Sequence, residues 1–254
     1  MDISSLVSAR LQMSQFSQSA TSSTAAGTAS NLMAPVTERL GQQLESTNVK
    51  LSAYGQIKSA FGSAQTAANG LTSSATSKTA TNSDVEKAAQ AFVNAYNQAS
   101  QAVAGATNSS SKATGALASD FRAKSAGNDL ARSLTGGSGA ANLKQAGISV
   151  NKDGTLTLDT KALQQALQSN STETKSALAS LGQQVSGSTG RELASTGNVG
   201  ASVGKLTSRA KTLTAQQTAI QQQASSLQSM LEKQNATLNY ATANGLAAYQ
   251  SILG

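Results

Sequence analysis

The chain of 254 residues contains no cysteine, no histidine and no tryptophan, and it has a single proline. Without thiol or imidazole groups it has no cysteine nucleophile, no histidine base, no zinc site with sulfur or nitrogen ligands and no disulfide. The 12 acidic residues are scattered, and none lies in an apolar stretch that would raise its pKa. We therefore expect that the protein is not an enzyme and has no catalytic residue, cofactor or metal site.

Large apolar side chains are also scarce. Hydrophobic residues make up 38% of the chain and aromatic residues 3%, and much of the apolar fraction is alanine, which favours helices but buries little area. No stretch approaches the roughly 20 apolar residues needed to cross a bilayer, and the start of the chain lacks the regions of a cleaved signal peptide. These features predict thin helical packing and no membrane partner.

The net charge of +7 comes from 19 basic and 12 acidic residues. A nucleic-acid site needs basic residues gathered on one face, and the nearest approach to such a cluster is Lys205, Arg209 and Lys211. Scattered positive charge is typical of a solvated surface. We therefore expect no nucleic-acid partner.

The first third of the chain predicts a disordered arm followed by a long helix. Residues 1–34 form the arm, because the stretch 17–31 has no bulky apolar residue to bury. Pro35 suits the first turn of a helix, so the helix is predicted to begin there. Its apolar residues recur at steps of three and four up to residue 72, with one interruption at Thr47.

A heptad repeat dominates the last 50 residues and predicts a coiled-coil helix. Together with the first helix it defines a terminal domain of residues 35–72 and 203–254. The repeat either closes a helical hairpin within the chain or mediates subunit assembly. The predicted coiled-coil and assembly interface comprises Leu40, Leu44, Leu51, Tyr54, Leu206, Leu213, Ile220, Leu227, Leu231 and Leu238.

Residues 83–202 are predicted to form a small helical and mixed domain. A helix capped by Ser83 or Asp84 is followed by a shorter helix over about 120–134, and alternating apolar residues around NKDG predict a β-hairpin near 147–159. Asp159 is expected to cap the next helix, and a polar stretch then leads back to the C-terminal helix. The predicted fold is mainly α, with terminal coiled-coil helices and a small α+β domain containing one β-hairpin.

Four segments in order resemble the flagellar filament cap protein family, FliD, also called flagellar hook-associated protein 2. They are KLSAYGQIKSAFGSAQTA at 50–67, AFVNAYNQ at 91–98, GALASDFRAKSAGNDLARSL at 115–134 and GISVNKDGTLTLDTKALQQAL at 147–167. Family members typically carry a large β-rich insertion between the first two segments, whereas only residues 72–82 occupy that place here. The chain therefore resembles a minimal form without the outer β-rich domains.

The resemblance implies a structural protein of the bacterial flagellum that acts in motility. It implies a homo-oligomer at the distal end of the filament, which promotes flagellin polymerisation and contacts flagellin and hook-associated junction proteins. It also implies secretion without a cleaved signal peptide, through the flagellar export apparatus and with an export chaperone, to an extracellular location. The arm of residues 1–34 and the C-terminal helix would serve export or assembly.

Two other functions are compatible with these patterns. One is an axial or hook–filament junction subunit without capping activity, which would form an open helical polymer where a cap forms a closed ring. The other is a secreted coiled-coil adhesin, which the low aromatic content disfavours because binding hot spots are usually aromatic or arginine.

Overall fold

The computed structural model describes residues 25–110, 113–136 and 138–253, and this part of the chain is mainly helical with two short antiparallel hairpins. The helices are α1 (Ala25–Thr76), α2 (Asn82–Thr107), α3 (Phe121–Thr135), α4 (Gly139–Gln145), α5 (Thr160–Ser169), α6 (Ser171–Leu193) and α7 (Asn198–Leu253). The strands are β1 (Ser109–Ser110), paired with β2 (Ala113–Thr114), and β3 (Ile148–Val150), paired with β4 (Leu156–Leu158). The predicted fold class is confirmed, and the small β1–β2 hairpin is an addition to it.

The chain divides into two compact units. The terminal unit contains the described residues up to Glu45 and those from Ala210 onward, and the central unit is Ser46–Arg209. Helices α1 and α7 each contribute residues to both units. The terminal domain expected above comprised residues 35–72 and 203–254, so its boundaries differ from those of this division. Of the predicted arm, residues 1–24 lie outside the described part of the chain.

Helix α1 begins at Ala25, and Pro35 lies inside it. The prediction that the helix begins at Pro35 is therefore wrong. An internal proline removes one backbone hydrogen bond and costs about 3 kcal/mol. The preceding residues AAGTASNLMA include several good helix formers, and the helix extends on both sides of the proline.

Helix α2 starts with a capping box at Thr81, whereas Ser83 or Asp84 was predicted as the N-cap. Thr81 is the N-cap: its hydroxyl accepts a hydrogen bond from Asp84 N at 3.2 Å, and the Asp84 carboxylate accepts one from Thr81 N at 2.9 Å. This reciprocal pair satisfies backbone donors at the helix start. The connection from α1 is correspondingly short, because α1 continues to Thr76.

The core of the central unit surrounds α2, which buries residues at heptad spacing: Val85, Ala89, Phe92, Tyr96, Ala99 and Val103. Phe92 and Tyr96 contact each other with ring centroids 6.4 Å apart. The β3–β4 hairpin lies against this helix, since Asn97 accepts a hydrogen bond from Leu156 N at 2.6 Å and donates one to Leu156 O at 2.8 Å. Gly154 in the hairpin turn has a φ of +80°, a backbone conformation that glycine adopts without strain.

Helix α6 occupies a region that was predicted to be a polar connection. Its composition is rich in serine, threonine and glycine, yet Leu178, Leu181 and Val185 are fully buried. At Gly182 the helix approaches α1 so closely that an added Cβ would lie 2.5 Å from Ala68 O. Small residues thus serve here to bring two helix backbones together.

Candidate assembly surface

In the terminal unit, the side chains of α7 that are shielded from solvent recur at heptad spacing. Leu213 is 5% exposed, and within the described stretch from Ala210 to Leu231 the other partly shielded residues all lie at heptad a and d positions, while the rest are exposed. We call this row the heptad seam. Its members are Ala210, Leu213, Gln217, Ile220, Ala224, Leu227 and Leu231.

Helix α1 carries a matching row of buried residues seven apart. In the terminal unit Leu40 is 6% exposed and Leu44 is half-buried. Further along the helix, in the central unit, the row continues with Thr47, Tyr54, Phe61, Ala68 and Ala75, which are all buried. Thr47 is thus a member of the row and not an interruption of it. The signal was present in the sequence, because Thr47 lies seven residues from both Leu40 and Tyr54.

Between Leu231 and Ala248 the apolar residues of α7 are exposed. The exposed fractions are 50% for Leu238, 72% for Tyr240 and 62% for Leu246. Leu238 was predicted as an interface residue, and it occupies a solvent-accessible position on the described surface. Leu238 and Leu246, eight residues apart, lie on one side of the helix, whereas Tyr240 lies on the other.

The remaining predicted interface residues lie in the central unit. Leu51 and Leu206 are half-buried, and Leu206 packs against the hydrophobic core. Tyr54 is fully buried, and its hydroxyl donates a 2.8 Å hydrogen bond to the Asp120 carboxylate, which also caps α3. Burial raises the pKa of Tyr54, opposed by a hydrogen bond with Ser202 and reinforced by Asp120. Tyr54 therefore ties α1 to the start of α3.

Among the residues whose burial the structure describes, one acidic residue is buried, contrary to expectation. Glu192, near the end of α6, is 6% exposed, and its carboxylate accepts hydrogen bonds from Asn198 N at 3.2 Å and Asn198 Nδ2 at 3.1 Å. Its pKa is raised, chiefly by burial and further by the neighbouring Asp129 carboxyl. No sequence pattern pointed to this pair, because Asp129 comes from α3, far away along the chain.

Lys205, Arg209 and Lys211 are all exposed on α7. Among the helices of the described residues, none has an apolar stretch long enough to cross a membrane.

These features define a mainly helical structural protein. Its two long helices carry buried residues at heptad spacing, and the segments of the small mixed unit lie between them in the sequence. A family model described as flagellar hook-associated protein 2 C-terminus matches residues 63–244. The match covers more than half of the 254 residues, and the chain belongs to this family. A search of curated proteins finds no match.

The family membership confirms the resemblance seen in the sequence and makes the chain a member of a structural flagellar family of the cap type. In this chain α1 ends at Thr76 and α2 begins at Asn82. Only five residues connect the two helices, at the place where typical family members were expected to carry a large insertion.

Proposed function

We propose that the chain assembles as a homo-oligomer at the distal end of the flagellar filament and promotes polymerisation of flagellin there. The observation that carries this proposal is the exposed apolar end of α7, with Leu238, Tyr240 and Leu246, in a member of a flagellar hook-associated family. Leu238 and Leu246 are eight residues apart and lie on one side of the helix, where the packing of another surface would remove both from water.

The exposed stretch of α7 directly follows the heptad seam. From Ala210 to Leu231 the seam residues are partly shielded within the terminal unit, and the exposed residues that follow continue along the same helix. A neighbouring subunit, a flagellin molecule or a junction protein could cover them by the same helix packing. Before assembly an export chaperone could cover them, on a route through the flagellar export apparatus to the cell exterior without a cleaved signal peptide.

A second candidate is an axial or hook–filament junction subunit that does not cap the filament. The short connection between α1 and α2 favours this candidate, because a chain without outer domains presents less surface to cover the end of the filament. The two candidates differ in where the protein is found and in the symmetry of its oligomer.

The proposal is tested in the source bacterium by deleting the gene and complementing it with variants. Leu238→Asp and Leu246→Asp place a charge on the side of α7 that carries these two exposed leucines, and Asn244→Asp places the same charge on an exposed residue of the opposite side. We expect the deletion and the two leucine variants to lack filaments and to release flagellin monomers into the medium. Asn244→Asp should restore filaments.

Location and shape separate the candidates. Labelled wild-type protein at the filament tip, with a closed ring of few subunits in purified form, supports the cap. Label at the filament base, or an open helical polymer, supports the junction subunit. Normal filaments in the deletion strain would overturn both proposals.

A further inference from the structure

The tetrapeptide Ala-Asn-Gly-Leu occurs twice in the chain, at residues 68–71 of α1 and at residues 243–246 of α7. Asparagine followed by glycine is prone to spontaneous deamidation, because glycine has no side chain to shield its backbone nitrogen and its backbone adopts many conformations. The two copies share their immediate neighbours in sequence. A difference in their reactivity therefore comes from the structure around each copy.

Deamidation begins when the backbone nitrogen of the glycine loses its proton and attacks the carbonyl carbon Cγ of the asparagine side chain. The new N–Cγ bond closes a succinimide ring, the bond between Cγ and Nδ2 breaks, and the amide nitrogen leaves as ammonia, which carries the proton away. Water then adds to either carbonyl of the ring and opens it to aspartate or isoaspartate. Water is the only co-reactant, and no group is oxidised or reduced.

An intact helix prevents this attack. In a helix the glycine N–H donates to the carbonyl oxygen four residues earlier, and the helical backbone turns the nitrogen away from Cγ. Each copy can therefore react only when its stretch of helix opens, and the rate of deamidation follows the free energy of that local opening.

The core of the central unit holds the copy in α1. Ala68 and Leu71 are fully buried on either side of the Asn-Gly pair. The Asn69 side-chain oxygen accepts a 2.6 Å hydrogen bond from the Ser186 hydroxyl of α6. Opening of the helix here exposes Leu71 to water and breaks the contact with α6, so it costs a large part of the stability of the central unit.

The copy in α7 lacks this support. From Ala236 to Ala248 every residue of the helix is exposed, and Leu246, which corresponds to the buried Leu71, is 62% exposed. The same stretch contains threonine, asparagine and glycine, which are poor helix formers. Its helical state therefore depends on backbone hydrogen bonds with little help from packing, and it opens at low cost.

We propose that Asn244 is a site of spontaneous deamidation in the free protein, whereas Asn69 in the same tetrapeptide is protected. The two products change α7 differently. Aspartate adds a negative charge on the side of the helix opposite Leu238 and Leu246. In isoaspartate the main chain runs through Cγ and gains a CH2 group, which displaces Leu246 relative to Leu238.

Peptide mass spectrometry of the full-length protein tests this site. Trypsin separates the two copies into the peptides 59–78 and 234–254. The protein is first incubated at mildly alkaline pH, which favours loss of the glycine amide proton, and the fraction of each peptide in which an amide has become an acid is then measured. We expect this fraction to be several-fold larger for the peptide 234–254.

Fragmentation of the peptide 234–254 locates the change and distinguishes isoaspartate from aspartate. The peptide contains two further asparagines, Asn235 and Asn239, which precede alanine and tyrosine. The side chains of these following residues hinder the attack of the backbone nitrogen. Modification is therefore expected at Asn244.

The same incubation in guanidinium chloride is the control for the intrinsic chemistry. With both helices unfolded, Asn69 and Asn244 should react at similar rates because their immediate neighbours are identical. For each site, the rate in denaturant divided by the rate in buffer gives the protection that the folded structure provides. We expect this protection to be several-fold greater for Asn69.

Two variants test the role of the helix. Ala247→Gly lowers the helix propensity close to the site but keeps the Asn-Gly pair, and it should raise the rate at Asn244 several-fold. Ala215→Gly makes the same change at an exposed position of α7 within the heptad seam and should leave that rate unchanged. Gly245→Ala adds a side chain beside the reacting nitrogen, with no neighbouring atom within 4 Å of the new Cβ, and should suppress the reaction.

Three results would overturn the proposal. They are equal modification of Asn69 and Asn244 in buffer, no modification of Asn244 in buffer over a time in which the denatured protein reacts, and a rate at Asn244 that Ala247→Gly does not change. None of these measurements involves filament assembly, so their outcome is independent of the proposed function.

Discussion

At the scale of single residues, Tyr54 shows how one buried hydroxyl connects elements that are distant in sequence. It has no exposed surface, and its pKa is raised by burial, so the hydroxyl stays protonated and donates to Asp120. Asp120 in turn accepts hydrogen bonds from Arg122 N and Ala123 N at the start of α3. A single carboxylate thus serves as a helix cap and as the acceptor for a residue of α1.

We expect Tyr54→Phe to lower the free energy of unfolding by about 1 to 2 kcal/mol, because it removes a hydrogen bond to a charged group while the ring still fills its site. Urea denaturation followed by circular dichroism measures the loss. Tyr240→Phe is the matched control, since Tyr240 is 72% exposed, and it should leave the stability unchanged. Equal stabilities for wild type and Tyr54→Phe would contradict the role given to this hydroxyl.

Two residue-level signals that act locally are confirmed by the structure, whereas the helix start at Pro35 is not. Asp159 was predicted to cap a helix, and its carboxylate accepts from Ala162 N. The glycine of NKDG was expected to turn a hairpin, and Gly154 has the positive φ that such a turn uses. Glu192 could not be found in this way, because its burial depends on α3 and on the start of α7 and not on its sequence neighbours.

At the scale of secondary-structure elements, periodicity revealed helices that bury large side chains and missed those that bury small ones. The heptads of α2 and α7 repeat leucine, phenylalanine and tyrosine at regular spacing. Besides Leu178, Leu181 and Val185, the buried residues of α6 are small or polar, such as Thr174, Ala177 and Gly182. These small residues let α1 pack closely against α6, and a hydrophobic pattern in the sequence does not indicate such close packing.

The heptad seam of α7 can be tested as an element. Leu213→Asp puts an unpaired charge at the seam position with the least exposure, 5%, and should destabilise the terminal unit by more than about 2 kcal/mol. Thr214→Asp adds the same charge at the adjacent exposed position and should have little effect.

Circular dichroism at 222 nm against temperature measures both variants. The expected result for Leu213→Asp is loss of part of the helical signal at a lower temperature than in the wild type. A melting curve that coincides with that of Thr214→Asp would show that Leu213 is not held in a seam.

At the scale of the whole molecule, the two units differ in how they bury apolar surface. The central unit has one continuous core, which includes Ile57, Phe61, Phe92 and Leu178, each fully buried. In the described part of the terminal unit, Leu40 and Leu213 are the buried hydrophobic residues, and the rest of the seam is half-buried and partly polar. Since stability grows with buried apolar area, the central unit should be the more stable of the two.

We therefore expect thermal unfolding of the full-length protein in two steps. The terminal unit should lose its helical signal first, and the tyrosine signal in near-ultraviolet circular dichroism should persist until the second step, because Tyr54 and Tyr96 are buried in the central unit whereas Tyr240 is exposed. Leu213→Asp should shift the first step alone, and Tyr54→Phe the second alone. Coincident loss of both signals in one transition, moved equally by either substitution, would show that the two units unfold as one cooperative structure.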